Sequence, residues 1–130
     1  MLTPEKIEEL QECSLEFYNF YVVSRVHENV IFDEEILEKV RNICRNFFKD
    51  QPYVYISKRV HSYNVNPLIY LKLKENEKLS GVAIVSDNFS QLTTANFEKQ
   101  FSPLPFDIFD NLEEAIAWAQ SVVENKKAGL

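Results

Sequence analysis

The side chains best suited to chemistry gather in residues 51–67, which read QPYVYISKRVHSYNVNP. Lys58 and Arg59 offer cations, His61 an imidazole that titrates near neutrality, Tyr63 a ring with a hydroxyl, and Asn64 and Asn66 amides. With Asp87 they read as a ligand- or partner-binding edge, in which Lys58 or Arg59 holds an anion and Tyr63 presents a flat surface. A plainer account of the same residues is a solvated loop, with a tyrosine packed on the sheet edge and asparagines making turns. His27 and His61 are the two histidines of the chain. A metal shared by them needs a third ligand from Glu28 or Asp87, and imidazole sites usually show tighter spacing or supporting carboxylates, so no metal is expected. Cys13 and Cys44 read as buried, reduced hydrophobes, which leaves no Cys–His nucleophile and no disulfide. Ser57 and Ser62 have no GxSxG setting. No catalytic residue and no cofactor is expected, and the chain reads as a non-enzyme.

Positioning these groups falls to one domain, residues 1–130, with an ordered core over about 10–124, because a chain of 130 residues that is 45% hydrophobic supports a single core. Its two glycines exclude a glycine-rich phosphate cradle. A balance of 14 basic against 20 acidic residues, net charge −6, repels a phosphate backbone and argues against nucleic acid. No apolar run long enough to span a membrane occurs, and the acidic start lacks a signal peptide's apolar core, so a cytoplasmic protein without membrane contact is expected.

Residues 12–17 alternate with Cys13, Leu15 and Phe17 on one side, and a second β-rich run over 20–28 follows closely enough to form a hairpin. Asn29 suits a left-handed turn. Asp33 caps a helix whose apolar face carries Ile36, Leu37, Val40, Ile43, Cys44, Phe47 and Phe48, ended by a turn over 50–52. Residues 53–56 and 79–86 read as central parallel strands. Between them Asn66 caps a short helix beginning at Pro67 and running to about residue 74. A strand over 106–109 lies between a helix at about 93–101 and one over 111–124, the latter started by a capping box of Asp110 and Glu113. Phe47, Phe97, Phe101, Phe106 and Phe109 fill the core, Trp118 either borders it or forms part of an exposed patch for a partner, and the two ends of the chain are loose. The fold class is therefore α/β: an opening β-hairpin, then alternating α and β, giving a mostly parallel mixed sheet of about five strands with helices packed on it. Ligands of such sheets bind beyond the carboxyl ends of the strands, where His27, Glu28, residues 57–66, Asp87 and Asn88 converge.

The stretches VHENVIFDEE, PYVYISKRVHSYNVNP, LSGVAIVSDN and PFDIFDNLEEAIAWAQ resemble the small bacterial proteins of the SpoIIAA-like, or STAS-like, family, over roughly residues 10–123. The resemblance implies that fold, a bacterial cytoplasmic setting and a protein-binding role. Switches of the broader family carry a phosphorylated serine or threonine where the strand after the first helix meets the next helix. Here that place is Tyr63, Asn64, Val65, Asn66 and Pro67, without the Asp-Ser-Ser-Gly pattern, and Ser62 lies a few residues early as the candidate phosphorylation site. The expectation is a non-catalytic regulatory or protein-interaction module whose partner is another protein or the chain itself. The alternative is a binder of a small anionic or amphipathic ligand at the loop edge formed by residues 57–66.

Overall fold

Alternation of residue type builds the sheet. In the computed structural model, which describes residues 3–60, 63–75 and 78–129, Cys13, Leu15 and Phe17 of strand β2 (Cys13–Phe17) are fully buried while Ser14 and Glu16 are half-exposed. The expected hairpin forms with β3 (Tyr21–Val26), Phe17 standing opposite Val22 and Cys13 opposite Val26. β3, β5 (Tyr53–Lys58), β7 (Leu79–Val85) and β8 (Phe106–Phe109) then run parallel. β7 is buried at every position, as a strand covered on both faces must be.

Helices cover the two faces unequally. Helix α1 (Glu34–Phe48), the 3₁₀ helix η1 (Pro67–Glu75) and helix α2 (Phe89–Lys99) lie over Tyr53, Tyr55, Val82 and Ile84. Helix α3 (Leu112–Lys127) lies over Val54, Ile56, Ala83 and Val85. α3 approaches so closely that a Cβ on Gly81 would stand 3.2 Å from the Pro105 carbonyl, Trp118 and Val122. Trp118 thus borders the core, half-buried beside Phe109.

The main sheet has six strands, in the order β1-β2-β3-β5-β7-β8, rather than five. The additional strand is β1 (Lys6–Glu9), in a segment expected to be loose. Its one apolar residue, Ile7, is 56% exposed, so β1 has no buried face to announce it. Main-chain pairing along β2 holds it, with Glu5 N–H donating to the Phe17 carbonyl and Leu10 N–H to the Cys13 carbonyl, both at 2.8 Å. A second sheet of two short parallel strands, β4 (Ile31–Phe32) and β6 (Asn64–Val65), forms beside η1.

Asp33 caps α1 by accepting from Ile36 N–H at 3.2 Å, and Asn29 is left-handed with φ 66°, both as expected. α1 closes on Lys49, whose φ is 57°. α2 begins at Phe89, before the expected start at residue 93, because Asn88 accepts from Gln91 N–H. α3 is capped by Asn111, which accepts from Glu114 N–H at 2.9 Å, and not by Asp110. The Asp110 carboxylate instead accepts from Asn111 Nδ2 at 3.0 Å and steadies the cap. Phe97, expected in the core, is 53% exposed. No helix among the described residues is long and apolar enough to cross a membrane.

Candidate functional site

The two-residue period of β5 continues past its end and decides what the 57–66 segment can do. Ser57 and Arg59 turn to the face that carries Tyr53 and Tyr55, lining a cavity under α1 and η1. Lys58 and Val60, with part of Arg59, border a second crevice at the carboxyl ends of β5, β7 and β8. That crevice, of about 390 Å³, exists because the chain leaving β7 enters α2 on one face while the chain leaving β8 enters α3 on the other.

Arg59, read in the sequence as a loop cation for an outside anion, is buried. Its Nη1 and Nη2 donate to Oε2 and Oε1 of Glu98, each at 2.6 Å, and the Tyr70 hydroxyl donates to the same Oε1. The guanidinium carbon lies 5.4 Å from the centre of the Tyr63 ring, and the Tyr63 hydroxyl is 2.9 Å from Ser57 Oγ. The physical reason is the strand period: position 59 faces inward, and a guanidinium taken out of water requires a carboxylate. Burial pulls the Arg59 pKa down, but the Glu98 hydrogen bonds outweigh it and leave the group above its ordinary value. Burial, then the Glu98 charge, hold the Tyr70 hydroxyl well above the usual tyrosine range; burial also raises Tyr63. Arg59 therefore stays charged and both tyrosines stay neutral.

The other sequence candidates separate. Lys58 is half-buried at the crevice and Asp87 is exposed beside it. Asn64 is exposed and ties β6 to β4, its N–H donating to the Val30 carbonyl at 3.0 Å. Asn66 starts η1, its Oδ1 accepting from Leu68 N–H at 3.1 Å, which is the turn-making role of an asparagine. His61 and Ser62 lie outside the described residues. His27 Nδ1 is 2.8 Å from the Gln11 carbonyl oxygen. Among the described residues, no three His, Cys, Asp or Glu side chains are placed to hold a metal ion.

Three residues of this inner cluster escape the sequence reading: Glu98, Tyr70 and Arg41. Arg41 is 4% exposed, lines the cavity, and donates from Nη1 to Glu38 Oε1 at 2.8 Å. A signal existed for it, since Leu37, Arg41, Cys44 and Phe48 fall on one helical stripe. Glu98 likewise follows buried Ala95 by one turn.

No curated protein matches the chain. A solved structure of an uncharacterised protein of the DUF3478 family from Shewanella loihica, described as having a SpoIIAA-like fold, is similar with a TM-score of 0.53 at 17% identity, over 88% of this chain and 90% of that one. At that identity the likeness concerns the fold. The SpoIIAA-like family itself matches residues 23–120, which run from within β3 to within α3 and take in all of β5, β7 and β8. On that match, and on the mixed sheet that agrees with it, this chain belongs to the SpoIIAA-like family.

Proposed function

We propose that this chain is a non-catalytic interaction module of regulatory type, whose contact face surrounds residues 57–66 and whose partner is another protein or a second copy of the chain. One observation carries the reading: at this edge the reactive groups turn inward onto one another while apolar side chains turn outward. Ser57 is bonded to Tyr63, and Arg59 and Tyr70 to Glu98. Ile31, Val60, Leu68 and Leu71 are 62%, 55%, 56% and 57% exposed. Ile31 stands on β4 opposite Asn64, and Leu68 and Leu71 are one turn apart on η1. Apolar side chains gathered on adjoining elements suit a contact face. Lys58, Asn64, Asn66 and Asp87 supply the polar rim that such faces carry. His61 belongs to the same segment, and phosphorylation of Ser62 would place negative charge within it. Family membership supports the reading, because the resemblance brings a protein-binding role with it. Two buried free thiols suit the reducing setting of a cytoplasmic protein.

Size-exclusion chromatography with light scattering across a concentration series, together with affinity capture, tests the proposal. The expected result is a mass that grows with concentration or one protein captured reproducibly. Either behaviour disappears in an Ile31→Lys, Leu71→Lys double variant whose melting temperature is unchanged. A strictly monomeric chain that captures nothing reproducibly overturns it.

A further inference from the structure

The register of β4 leaves one side of its backbone open. In a parallel pair, a residue that faces its neighbour uses both its N–H and its C=O toward it, and the next residue turns both away. Asn64 N–H donates to the Val30 carbonyl and Asn66 N–H to the Phe32 carbonyl, so Val30 and Phe32 face β6 and Ile31 faces away from it. Asp33 is still extended, with φ −115° and ψ −171°, so its N–H turns to the same side as Ile31. Among the described residues the Ile31 N–H, the Ile31 carbonyl and the Asp33 N–H have no hydrogen-bond partner. The left-handed Asn29 ends this edge on the other side.

The other strand edges are closed to pairing. β1 carries Lys6, Glu8 and Glu9, and charges of this kind guard an edge. β8 faces β7 with Phe109, whose carbonyl accepts from Ser86 N–H, so Ile108 faces outward, and its N–H donates to its neighbour's Asp107 Oδ1 at 2.9 Å. On β6 the residue turned away from β4 is Val65, which is half-buried against the core. At β4, by contrast, the outward backbone belongs to an isoleucine whose side chain is also exposed. The charge around it has one sign. Residues 28–38 hold Glu28, Asp33, Glu34, Glu35 and Glu38 and no lysine or arginine. Asp33 caps α1, Glu34 pairs with Lys72 at 3.0 Å and Glu38 with Arg41. Glu28 and Glu35, three residues before Ile31 and four after it, are exposed and make no ion pair among the described residues.

We propose that the free edge of β4 takes an extended, basic segment of another protein by strand addition, an inference that rests on reading this side of the molecule as a protein contact face. The added strand runs antiparallel to β4. Its residue opposite Ile31 exchanges both hydrogen bonds with Ile31, and a carbonyl two residues away accepts from Asp33 N–H. An apolar side chain lies beside Ile31, and a lysine or arginine on each side of it reaches Glu28 and Glu35. Charge selects this occupant over a second copy of the chain. Two β4 edges paired about Ile31 would set Glu28 of one chain beside Glu34 of the other, and like charges placed opposite one another oppose pairing.

The test titrates the full chain into a fluorescein-labelled peptide, Lys-Thr-Thr-Val-Thr-Thr-Lys, read by fluorescence anisotropy. Two matched peptides serve as controls, one with Glu in place of both Lys and one N-methylated at its three central residues. The expected result is saturable binding of the basic peptide, one per chain, weakened by added salt. Both control peptides bind about fivefold more weakly or worse. A Glu28→Gln, Glu35→Gln chain loses about threefold or more for the basic peptide and nothing for the Glu peptide. Ile31→Pro, which removes the outward N–H and leaves the bonds to β6 in place, loses about fivefold or more. Leu71→Lys, away from the edge, binds the peptide as the wild type does. Absence of saturation, equal binding of the N-methylated peptide, or a Glu28→Gln, Glu35→Gln chain that binds as tightly as the wild type overturns the proposal. If Ile31→Pro does not fold, the N-methylated peptide on the wild-type chain decides it. A chain that self-associates or captures a protein but ignores the basic peptide overturns strand addition while leaving the contact face standing.

Discussion

Arg59 and Glu98 join the end of β5 to α2 through a forked contact of 2.6 Å on each arm, with side chains 5% and 2% exposed. For such a pair the cost of losing one partner greatly exceeds the worth of having both, because the survivor is a charge left in a medium that cannot solvate it. Glu98→Gln is expected to destabilise the chain by about 3–5 kcal/mol in urea unfolding. An Arg59→Met, Glu98→Leu double variant is expected to recover part of that loss, since two apolar groups need no charge compensation while the buried Tyr70 hydroxyl still loses its acceptor. A double variant less stable than the single one would show that the pair is not coupled in this way. The same physics explains what was legible here. That residues 57–66 carry polar groups was plain from their types, whereas the carboxylate that lets Arg59 be buried, Glu98, is distant in sequence.

Among the elements, those with a marked apolar pattern read correctly and those without one did not. The β2–β3 hairpin and α1 are legible because alternation, apolar stripe and Asp33 cap all lie within a few residues of what they specify. β1 is not, because its one apolar residue is exposed and leaves no buried face to set a pattern, and the β4–β6 pair is not, because two-residue strands joined by backbone bonds carry no local spacing of their own. Cap assignment at α3 failed for a narrower reason: Asp110 and Asn111 are both good caps, and the backbone chooses between them. Since Asn111 accepts from Glu114 N–H, Asn111→Ala is expected to cost about 1 kcal/mol in thermal or urea unfolding. Asp110→Ala, losing a contact on the exposed surface, is expected to cost less, and the reverse ranking would return the cap to Asp110.

At the scale of the molecule, the sheet is protected at one end by a strand with almost nothing to bury. β1 offers Lys6, Glu8 and Glu9 to solvent, with Lys6 and Glu8 paired at 3.1 Å, and charge along an edge discourages further pairing. Beneath it β2 carries Cys13, Leu15 and Phe17, each fully buried. Removing residues 1–10 is expected to expose the β2 edge and make the chain self-associate, seen as a rise in sedimentation coefficient with concentration. Association of this origin should persist in the Ile31→Lys, Leu71→Lys background, which separates it from contacts made by the 57–66 face. A truncated chain that stays monomeric would show that β1 protects nothing.

The winding of η1 has a mechanical consequence. Side chains three apart in a 3₁₀ helix lie in straight rows, so Tyr70 and Leu73 form a row against the cavity while Leu68 and Leu71 form one facing outward. Its nine residues, at about 2.0 Å each, span about 18 Å, whereas an α-helix of the same residues would span about 13.5 Å. Rewinding to α would also turn each row by about 60° per three residues. The segment therefore behaves as a spindle under fixed gearing: its inner row cannot be advanced or shortened without shearing the outer row by the same angle.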